Sequence, residues 1–209
     1  MKVEQLPLGP LSTNCYLAVL DKEVVIIDPS GDAEKIIGRI EQLAVSPVAI
    51  LLTHAHFDHI GALDIVREHY RVPVYLHTAE QDWLEDPTLN GSSLFGMGEV
   101  TAKAADHLIN SGDTELQVGN FTFDARHTPG HSPGGVAYVF HQNRLVFGGD
   151  SLFAGGIGRT DLAGGNFEQL EESIKENFYL LPDDYIVYPG HGPETTIKLE
   201  KESNPFVQG

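Results

Sequence analysis

The most constraining feature of the sequence is the segment THAHFDH at residues 53–59, which places three histidines and one aspartate within six consecutive positions. An apolar run at residues 48–52 precedes it and predicts a buried strand. Gly61 and apolar residues at helical spacing follow it. The four polar side chains therefore lie at a turn between a strand and a helix, where elements on both sides fix the backbone. Imidazole and carboxylate groups at this density are typical ligands of zinc, iron or manganese.

The composition is that of a globular protein. The chain has 209 residues, 41% of them hydrophobic, and no linker-like stretch, which predicts one domain over residues 1–209. The formal net charge of −17 repels phosphate backbones, which argues against nucleic acid as a partner. The single cysteine, Cys15, fits a reducing compartment. The sequence has neither a signal-peptide pattern nor an apolar run of about 18 to 20 residues, so we expect a cytoplasmic protein without a membrane partner.

Predicted strands and helices alternate around the histidine-rich turn. Strands are predicted at residues 2–8, 14–20, 24–27, 48–53, 72–76, 107–109, 114–118, 121–127, 135–140, 144–147 and 185–188. Helices are predicted at residues 32–44, 60–70 and 78–85, and after the N-cap residue Asn166.

A long loop follows the first half of this pattern. Residues 87–105 are rich in glycine and serine, and loops of this length are usually functional or mobile. We therefore predict that this loop is a lid. Phe95 and Met97 within it, and Trp83 before it, are candidates for lining a pocket, although a structural role is the stronger interpretation for Trp83.

Further ligand candidates share one position, at the end of a predicted strand beside glycine or proline. They are His131, Asp150 and His191. Together with the histidine-rich turn they give seven candidate metal ligands: His54, His56, Asp58, His59, His131, Asp150 and His191.

The spacing within the turn suits two ions. On an extended backbone His54 and His56 point to the same face and can bind one ion. Asp58 and His59 lie where the helix begins and can turn toward a second ion. Seven ligands are too many for one tetrahedral ion, so they favour two ions that share an aspartate bridge and hold a hydroxide between them.

Each residue taken alone also has a structural interpretation. Asp58 can be the N-cap of the helix predicted from residue 60. His131 can be a cap, and His191 and Asp150 can be turn residues. The intact H-x-H-x-D-H pattern, with three matching residues in later loops, makes the metal interpretation the stronger one.

Several motifs carry a family resemblance that spans nearly the whole chain. In chain order they are THAHFDH, TPGHSPGG, FGGD and YPGHGPETT. They resemble the metallo-β-lactamase fold superfamily, which implies the α/β (α+β) class and a four-layer αββα sandwich with a dinuclear metal site at one edge. GPLSTNCYL, FGGDSLF and GIGRTDL look like the glyoxalase II (hydroxyacylglutathione hydrolase) group, closest to its short single-domain bacterial members.

The resemblance also assigns roles to the seven candidates. It implies one ion bound by His54, His56 and His131, a second bound by Asp58, His59 and His191, and a bridge formed by Asp150. Asp58 and Asp150 are the residues to which we also assign catalytic roles. Two divalent ions are expected, zinc by first choice, with iron or manganese as alternatives.

The implied reaction is hydrolysis of a thioester such as S-lactoylglutathione by a metal-bridging hydroxide. A thiolate, with an ordinary thiol pKa of about 8.5, leaves without a strong general acid. Longer glyoxalase II enzymes carry a C-terminal extension that contacts glutathione, whereas this sequence ends at Gly209, so another low-molecular-weight thiol is an alternative. Arg159, Lys198 and the 87–105 loop are candidate substrate contacts, with a structural salt bridge as the alternative for Arg159.

The sequence is also compatible with two other functions. Persulfide dioxygenases share the fold and use a single iron, for which His54, His131 and Asp150 would suffice. A non-catalytic metal-binding protein is the other alternative, although structural metal sites usually have four ligands and none to spare. The sequence specifies no oligomeric state.

Overall fold

The strands form two six-stranded sheets and a two-stranded ribbon in the computed structural model, which describes residues 1–96 and 98–209. Met97, a predicted pocket residue, lies outside the described residues. The first sheet contains, in chain order, β1 Lys2–Leu8, β2 Thr13–Leu20, β3 Glu23–Ile27, β4 Ser46–Leu51, β5 Val74–His77 and β6 His107–Ile109.

The second sheet is built from the later strands. They are β7 Leu116–Val118, β8 Phe121–His127, β9 Val136–Phe140, β10 Leu145–Gly149, β13 Ile186–Pro189 and β14 Thr195–Thr196. Their order across the sheet is β14-β13-β10-β9-β8-β7. The ribbon pairs β11 Leu152–Phe153 with β12 Gly156–Ile157. The α-helices are α1 Ala33–Leu43, α2 Leu63–Tyr70, α3 Phe167–Ser173 and α4 Ile197–Ser203.

The sheets face each other and the helices lie outside them, in four layers. Strand β3 shows how the sequence achieves this, because successive side chains of a strand point to opposite faces. Val24 and Ile26 pack in a cluster with residues of α1 and α2, whereas Val25 and Ile27 pack in the cluster between the sheets. A third cluster joins the outer face of the second sheet to α3 and α4. The predicted αββα sandwich is therefore confirmed.

The topology brings the candidate ligands to one edge of the sandwich. Strands β3, β4 and β5 run parallel in one sheet, and β10 and β13 run parallel in the other. The carboxyl ends of parallel strands meet at the same edge, and ligand-bearing loops follow β4, β10 and β13 there. A hydrogen bond from the Val136 amide to the Thr53 carbonyl, 2.8 Å long, joins the loop after β4 to the start of β9 in the other sheet.

Two predicted helices differ from the structure. The helix predicted at 78–85 is wrong, because only one 3-10 turn forms, at Thr78–Glu80. Glu80 turns inward to bind backbone amides of other loops, and Trp83 and Leu84 are buried in the core, so tertiary contacts override local helix propensity. The helix predicted at 60–70 begins only at Leu63.

The late start of that helix changes the interpretation of Asp58. Residues 57–62 form turns, and the N-cap of α2 is Ala62, so Asp58 is not a helix cap. The cap predicted at Asn166 is confirmed, since its side-chain oxygen accepts a 2.9 Å hydrogen bond from the Gln169 amide. Where it is described, segment 87–105 is irregular apart from a 3-10 turn at Ser92–Leu94, and its role as a lid stays a prediction. Within the described ranges, the helices are all too short or too polar to span a bilayer.

Candidate metal centre

The seven predicted ligands converge on one site at the edge of the sandwich. Their potential ligand atoms form three overlapping sets, and within each set these atoms lie within 4.8 Å of one another. The sets are His54, His56 and His131; His54, His59 and Asp150; and Asp58, His59 and His191. We call the first the histidine group and the last the mixed group. That these residues bind ions stays a prediction, but the structure brings all seven together.

The histidine group draws its ligands from loops of both sheets. His54 and His56 follow β4, and His131 lies in the loop between β8 and β9. All three side chains are buried, and His56 Nδ1 lies 2.9 Å from His131 Nε2. Burial and the neighbouring histidines hold the pKa of His54 well below its usual range, and burial and His131 lower the pKa of His56 to about 3. Both imidazoles are therefore neutral at pH 7, which is the form that binds metal.

The mixed group is more open and carries more charge. His191 Nε2 lies 3.3 Å from Asp58 Oδ2, and the His191 side chain keeps 32% of its surface exposed. Burial opposes a charge on His191, but its contacts with Asp150 and Asp58 outweigh burial and raise its pKa to about 9. Burial likewise opposes the charge on Asp58, but His59 and His191 outweigh it and lower the Asp58 pKa to about 2.

Asp150 lies between the two groups, as the predicted bridge requires. Its Oδ2 atom is 3.6 Å from His131 Nε2 and 3.5 Å from His191 Nε2, and its Oδ1 atom is 3.4 Å from His59 Nε2. Gly190 permits this position, because a Cβ atom there would lie 2.0 Å from Asp150 Oδ1. Glycine at position 190 is therefore required for the Asp150 carboxylate to occupy this position.

Unpaired buried atoms test whether divalent ions fit this site. His54 Nε2, His59 Nε2 and Asp150 Oδ1 are buried without a hydrogen-bond partner among the described residues. Such atoms are costly unless something satisfies them. All three face the middle of the cluster, and imidazole nitrogen with carboxylate oxygen is a donor set suited to zinc or iron. The residues present therefore fit the implied ions.

In His131 and His59 the Nδ1 atom, which faces away from the site, contacts a hydrogen-bond acceptor, so that Nε2 keeps its lone pair for a metal ion. The Arg159 carbonyl lies 2.8 Å from His131 Nδ1 and can only accept a hydrogen bond, so that nitrogen carries the proton. Asp28 has the same role toward His59, where its Oδ2 atom lies 2.9 Å from Nδ1. These contacts point Nε2 of both rings at the site.

Three residues that contact the candidate ligands or their loops were not predicted from the sequence. Asp28, at the end of β3, accepts hydrogen bonds from the Thr53 amide and hydroxyl and faces His59. Thr13 donates a 2.7 Å hydrogen bond to Asp58 Oδ2. Glu80 accepts from two backbone amides of the ligand loops. Only Asp28 leaves a local signal, the Asp-Pro step that ends an apolar strand.

A cleft of about 240 Å³ opens above the ligands. His56, Asp58, His131, Asp150 and His191 form its polar side. Leu11, Phe57, Phe95 and Leu162 form an apolar wall, in which the rings of Phe57 and Phe95 lie 5.4 Å apart.

Of the two residues predicted to contact substrate, one lies in the cleft and the other does not. Arg159 lines the cleft, and its guanidinium pairs with Asp161 at 2.7 and 2.9 Å. Lys198 does not line the cleft; it lies in α4, with its Nζ atom 3.9 Å from a Glu202 oxygen. Trp83 is buried in the core beneath His56, with ring centroids 5.6 Å apart.

Known proteins are similar to this chain in sequence and in fold. A family model for the metallo-beta-lactamase superfamily matches residues 8–191. The probable metallo-hydrolase YqgX of Bacillus subtilis is 52% identical over 209 residues, which cover 100% of this chain and 99% of that protein. Hydroxyacylglutathione hydrolase GloC of Haemophilus influenzae is 38% identical over 208 residues, 99% of this chain and 98% of GloC.

A solved structure agrees over the full length of the chain. The crystal structure of the BLEG-1 B3 metallo-beta-lactamase is 52% identical, covers 100% of both chains and superposes with a TM-score of 0.96. The family match, the four-layer fold and the cluster of histidines and aspartates agree with one another. This chain belongs to the metallo-beta-lactamase superfamily and is a metallo-hydrolase.

Proposed function

We propose that this metallo-hydrolase cleaves thioesters of low-molecular-weight thiols, of which S-lactoylglutathione is one. The observation that carries the proposal is the shortage of proton donors in the cleft. Apart from the candidate metal ligands, its lining consists of apolar residues, Asn90, Gly91 and Arg159. A hydrogen bond from Arg159 to Asp161 raises the pKa of Arg159 further, so this guanidinium keeps its proton.

A site of this kind suits a leaving group that departs as an anion. A thiol has an ordinary pKa of about 8.5, so a thiolate leaves at neutral pH without receiving a proton. The nitrogen of an amide needs a proton to leave, and the lining offers no dedicated group to provide one. GloC, the 38% identical relative, carries the name of a thioester hydrolase, which supports the same class of reaction.

The residues of the chain have separate tasks in this reaction. Bound divalent ions would supply a hydroxide near neutral pH and polarise the thioester carbonyl. The Asp58 carboxylate is ionised above about pH 2 and is oriented by a hydrogen bond from Thr13. Asp150 stays ionised beside it. The apolar wall packs against the uncharged part of the substrate and excludes water there, while Arg159 can exchange Asp161 for a substrate carboxylate.

Hydrolysis of β-lactams is the second candidate. It is favoured by the likeness to BLEG-1, a protein described as a B3 metallo-beta-lactamase. A β-lactam is an amide, so its nitrogen needs a proton when the ring opens. The two candidates therefore differ in their demand for a proton donor, and direct comparison of the two substrates separates them.

The test uses protein purified without added metal. Bound metal is counted by mass spectrometry, and kcat/KM is measured for thiol release from S-lactoylglutathione and other small thioesters, and for nitrocefin hydrolysis. We expect two ions per chain and a kcat/KM for the best thioester at least about 100-fold above that for nitrocefin. An Asp150→Asn variant from the same preparation controls for contaminating hydrolases. Faster nitrocefin hydrolysis, or a single iron with oxygen uptake on glutathione persulfide, would contradict the proposal.

A further inference from the structure

Glu80 is a fully buried carboxylate that touches both loops of the histidine group. Its Oε2 atom accepts a 2.6 Å hydrogen bond from the Ala55 amide, and its Oε1 atom accepts a 2.7 Å hydrogen bond from the Gly134 amide. Ala55 separates His54 from His56, and Gly134 follows His131 by three positions. One side chain therefore joins the two backbone segments that present all three ligands of the histidine group.

We infer that Glu80 is the positioning residue of the histidine group, and that its carboxylate sets the distance between the loop after β4 and the loop before β9. Hydrogen bonds from the Val136 amide to the Thr53 carbonyl and from the Tyr138 hydroxyl to the Leu52 carbonyl join β9 to the loop after β4, and Glu80 adds contacts beside the ligands. Both of these bonds start from β9 itself, whereas Glu80 holds Gly134 within the loop that carries His131. The inference concerns metal binding and does not depend on the identity of the substrate.

The packing around Glu80 shows that the sequence is adapted to this contact. A Cβ atom at Gly134 would lie 2.7 Å from Glu80 Cγ and 2.9 Å from Cδ, so only glycine lets the backbone come this close. The Glu80 carboxylate is also expensive to bury, because charge taken out of water must be offset by well-placed hydrogen bonds. An amide side chain of the same size would satisfy only one of the two amide donors.

The mixed group is held in another way. The Thr13 hydroxyl donates a hydrogen bond to the Asp58 carboxylate, and Asp28 faces the imidazole of His59. Each of these contacts reaches a ligand side chain, whereas the contacts from Glu80 described above reach the backbone of the ligand loops. Loss of the Glu80 carboxylate should therefore weaken metal binding at the histidine group and leave the mixed group unchanged.

The test is the variant Glu80→Gln, which keeps the size of the side chain but directs an amide NH₂ at one of the two backbone amides. Zinc titration is carried out in a His191→Ala background for the histidine group and in a His54→Ala background for the mixed group. We expect about 10- to 100-fold weaker binding at the histidine group, the range found for residues that support metal ligands, and no change at the mixed group. Adding Glu80→Gln to the cobalt-substituted His191→Ala protein should also change its absorption spectrum.

Matched variants isolate the effect. Glu85→Gln removes an exposed carboxylate on the same irregular segment and should change neither affinity. Thr13→Val should give the reverse pattern, with weaker binding at the mixed group only. If Glu80→Gln does not fold, Glu80→Asp keeps the charge but loses the reach to one loop, and the same selective loss is expected. Equal weakening at both groups, or unchanged zinc binding and cobalt spectrum, would overturn the inference.

Discussion

The histidine group and the mixed group lie side by side but are built on different plans. The histidine group is buried, draws its ligands from loops on both sheets, and is joined through backbone amides to Glu80. The mixed group includes a partly exposed histidine, His191, and is held by contacts from Thr13 and Asp28 to its ligand side chains. Asp150 is the residue that both groups approach.

This difference indicates a division of labour. Groups whose backbone is fixed and which are shielded from water bind an ion with little rearrangement. A group that stays partly open leaves room for substrate and exchanges more readily with solvent. We therefore expect tighter binding at the histidine group and more labile binding at the mixed group, and the variants below test that expectation.

Asp150→Ala should remove the distinction altogether and have the largest effect. It takes away a ligand and a negative charge that both groups share, so both ions should be lost and kcat/KM should fall by more than about 100-fold, the upper range for residues that only support ligands. Metal analysis and thiol release measure this. Asp161→Ala, which removes an exposed aspartate that pairs with Arg159, is the control and should retain both ions. Near-normal metal content in Asp150→Ala would refute the bridge.

Single-ligand variants should separate the groups. His191→Ala and His54→Ala should each retain one ion, but the ion in His191→Ala, at the histidine group, should bind at least about tenfold more tightly, because that group is buried and Glu80 holds the backbone of its loops. Competition with a zinc chelator gives both affinities. If the His54→Ala protein holds its ion as tightly, the histidine group and the mixed group do not differ in the way that the structure indicates.

The pH dependence of zinc affinity should also differ between the two groups. A protonated imidazole cannot bind metal, so a proton on His191, whose pKa is about 9 without metal, must leave before the ion binds. Zinc affinity at the mixed group should therefore fall by at least about tenfold for each pH unit below 9. His56, with a pKa of about 3, holds no competing proton in this range. Titrations from pH 6 to 8.5 in the two single-ligand backgrounds measure the slopes, and equal slopes would contradict the assignment.

The smallest effect is expected at the apolar wall, which belongs to neither group. Phe95→Ala should raise KM for acyl thioesters by up to about tenfold, because it removes apolar surface that the substrate covers. Metal content should not change. Leu94→Ala is the matched control, since Leu94 is 63% exposed and does not line the cleft. An equal rise in KM for both variants would show that the wall does not contact the substrate.

Much of the fold could be predicted from the sequence because local patterns determine it. Apolar runs predicted the strands within a few residues, except the two-residue strands β11, β12 and β14, which were missed. Glycine-flanked histidines and aspartates at strand ends predicted the seven residues that the structure brings together. Ligands of this type leave a signal because a metal site needs special residues at the ends of elements. Their assignment to two ions is a prediction that the metal analysis proposed above tests.

The residues that hold the site could not be predicted in the same way. Glu80 lies 25 positions from Ala55 and 54 positions from Gly134, and no local pattern encodes hydrogen bonds over such distances. The sequence TAEQDWLE instead resembles a helix, which led to the wrong prediction at 78–85. Nothing in the sequence distinguishes Thr13 from other strand residues, and only the fold brings it to Asp58. Lys198, a predicted substrate contact, lies in α4 away from the cleft because the tail folds back onto the second sheet.

The nearness of His56 to His131 has a consequence for the stability of the whole chain. These residues are 75 positions apart in sequence, yet their nitrogens lie 2.9 Å apart, on loops of different sheets. An ion bound by both residues would act as a reversible cross-link that closes a long loop and joins one sheet to the other. An ion that binds only the folded chain adds about 4 kcal/mol of stability when its free concentration is roughly a thousandfold above its Kd. The supply of metal would then govern how long the protein survives proteolysis, in addition to whether it turns over substrate.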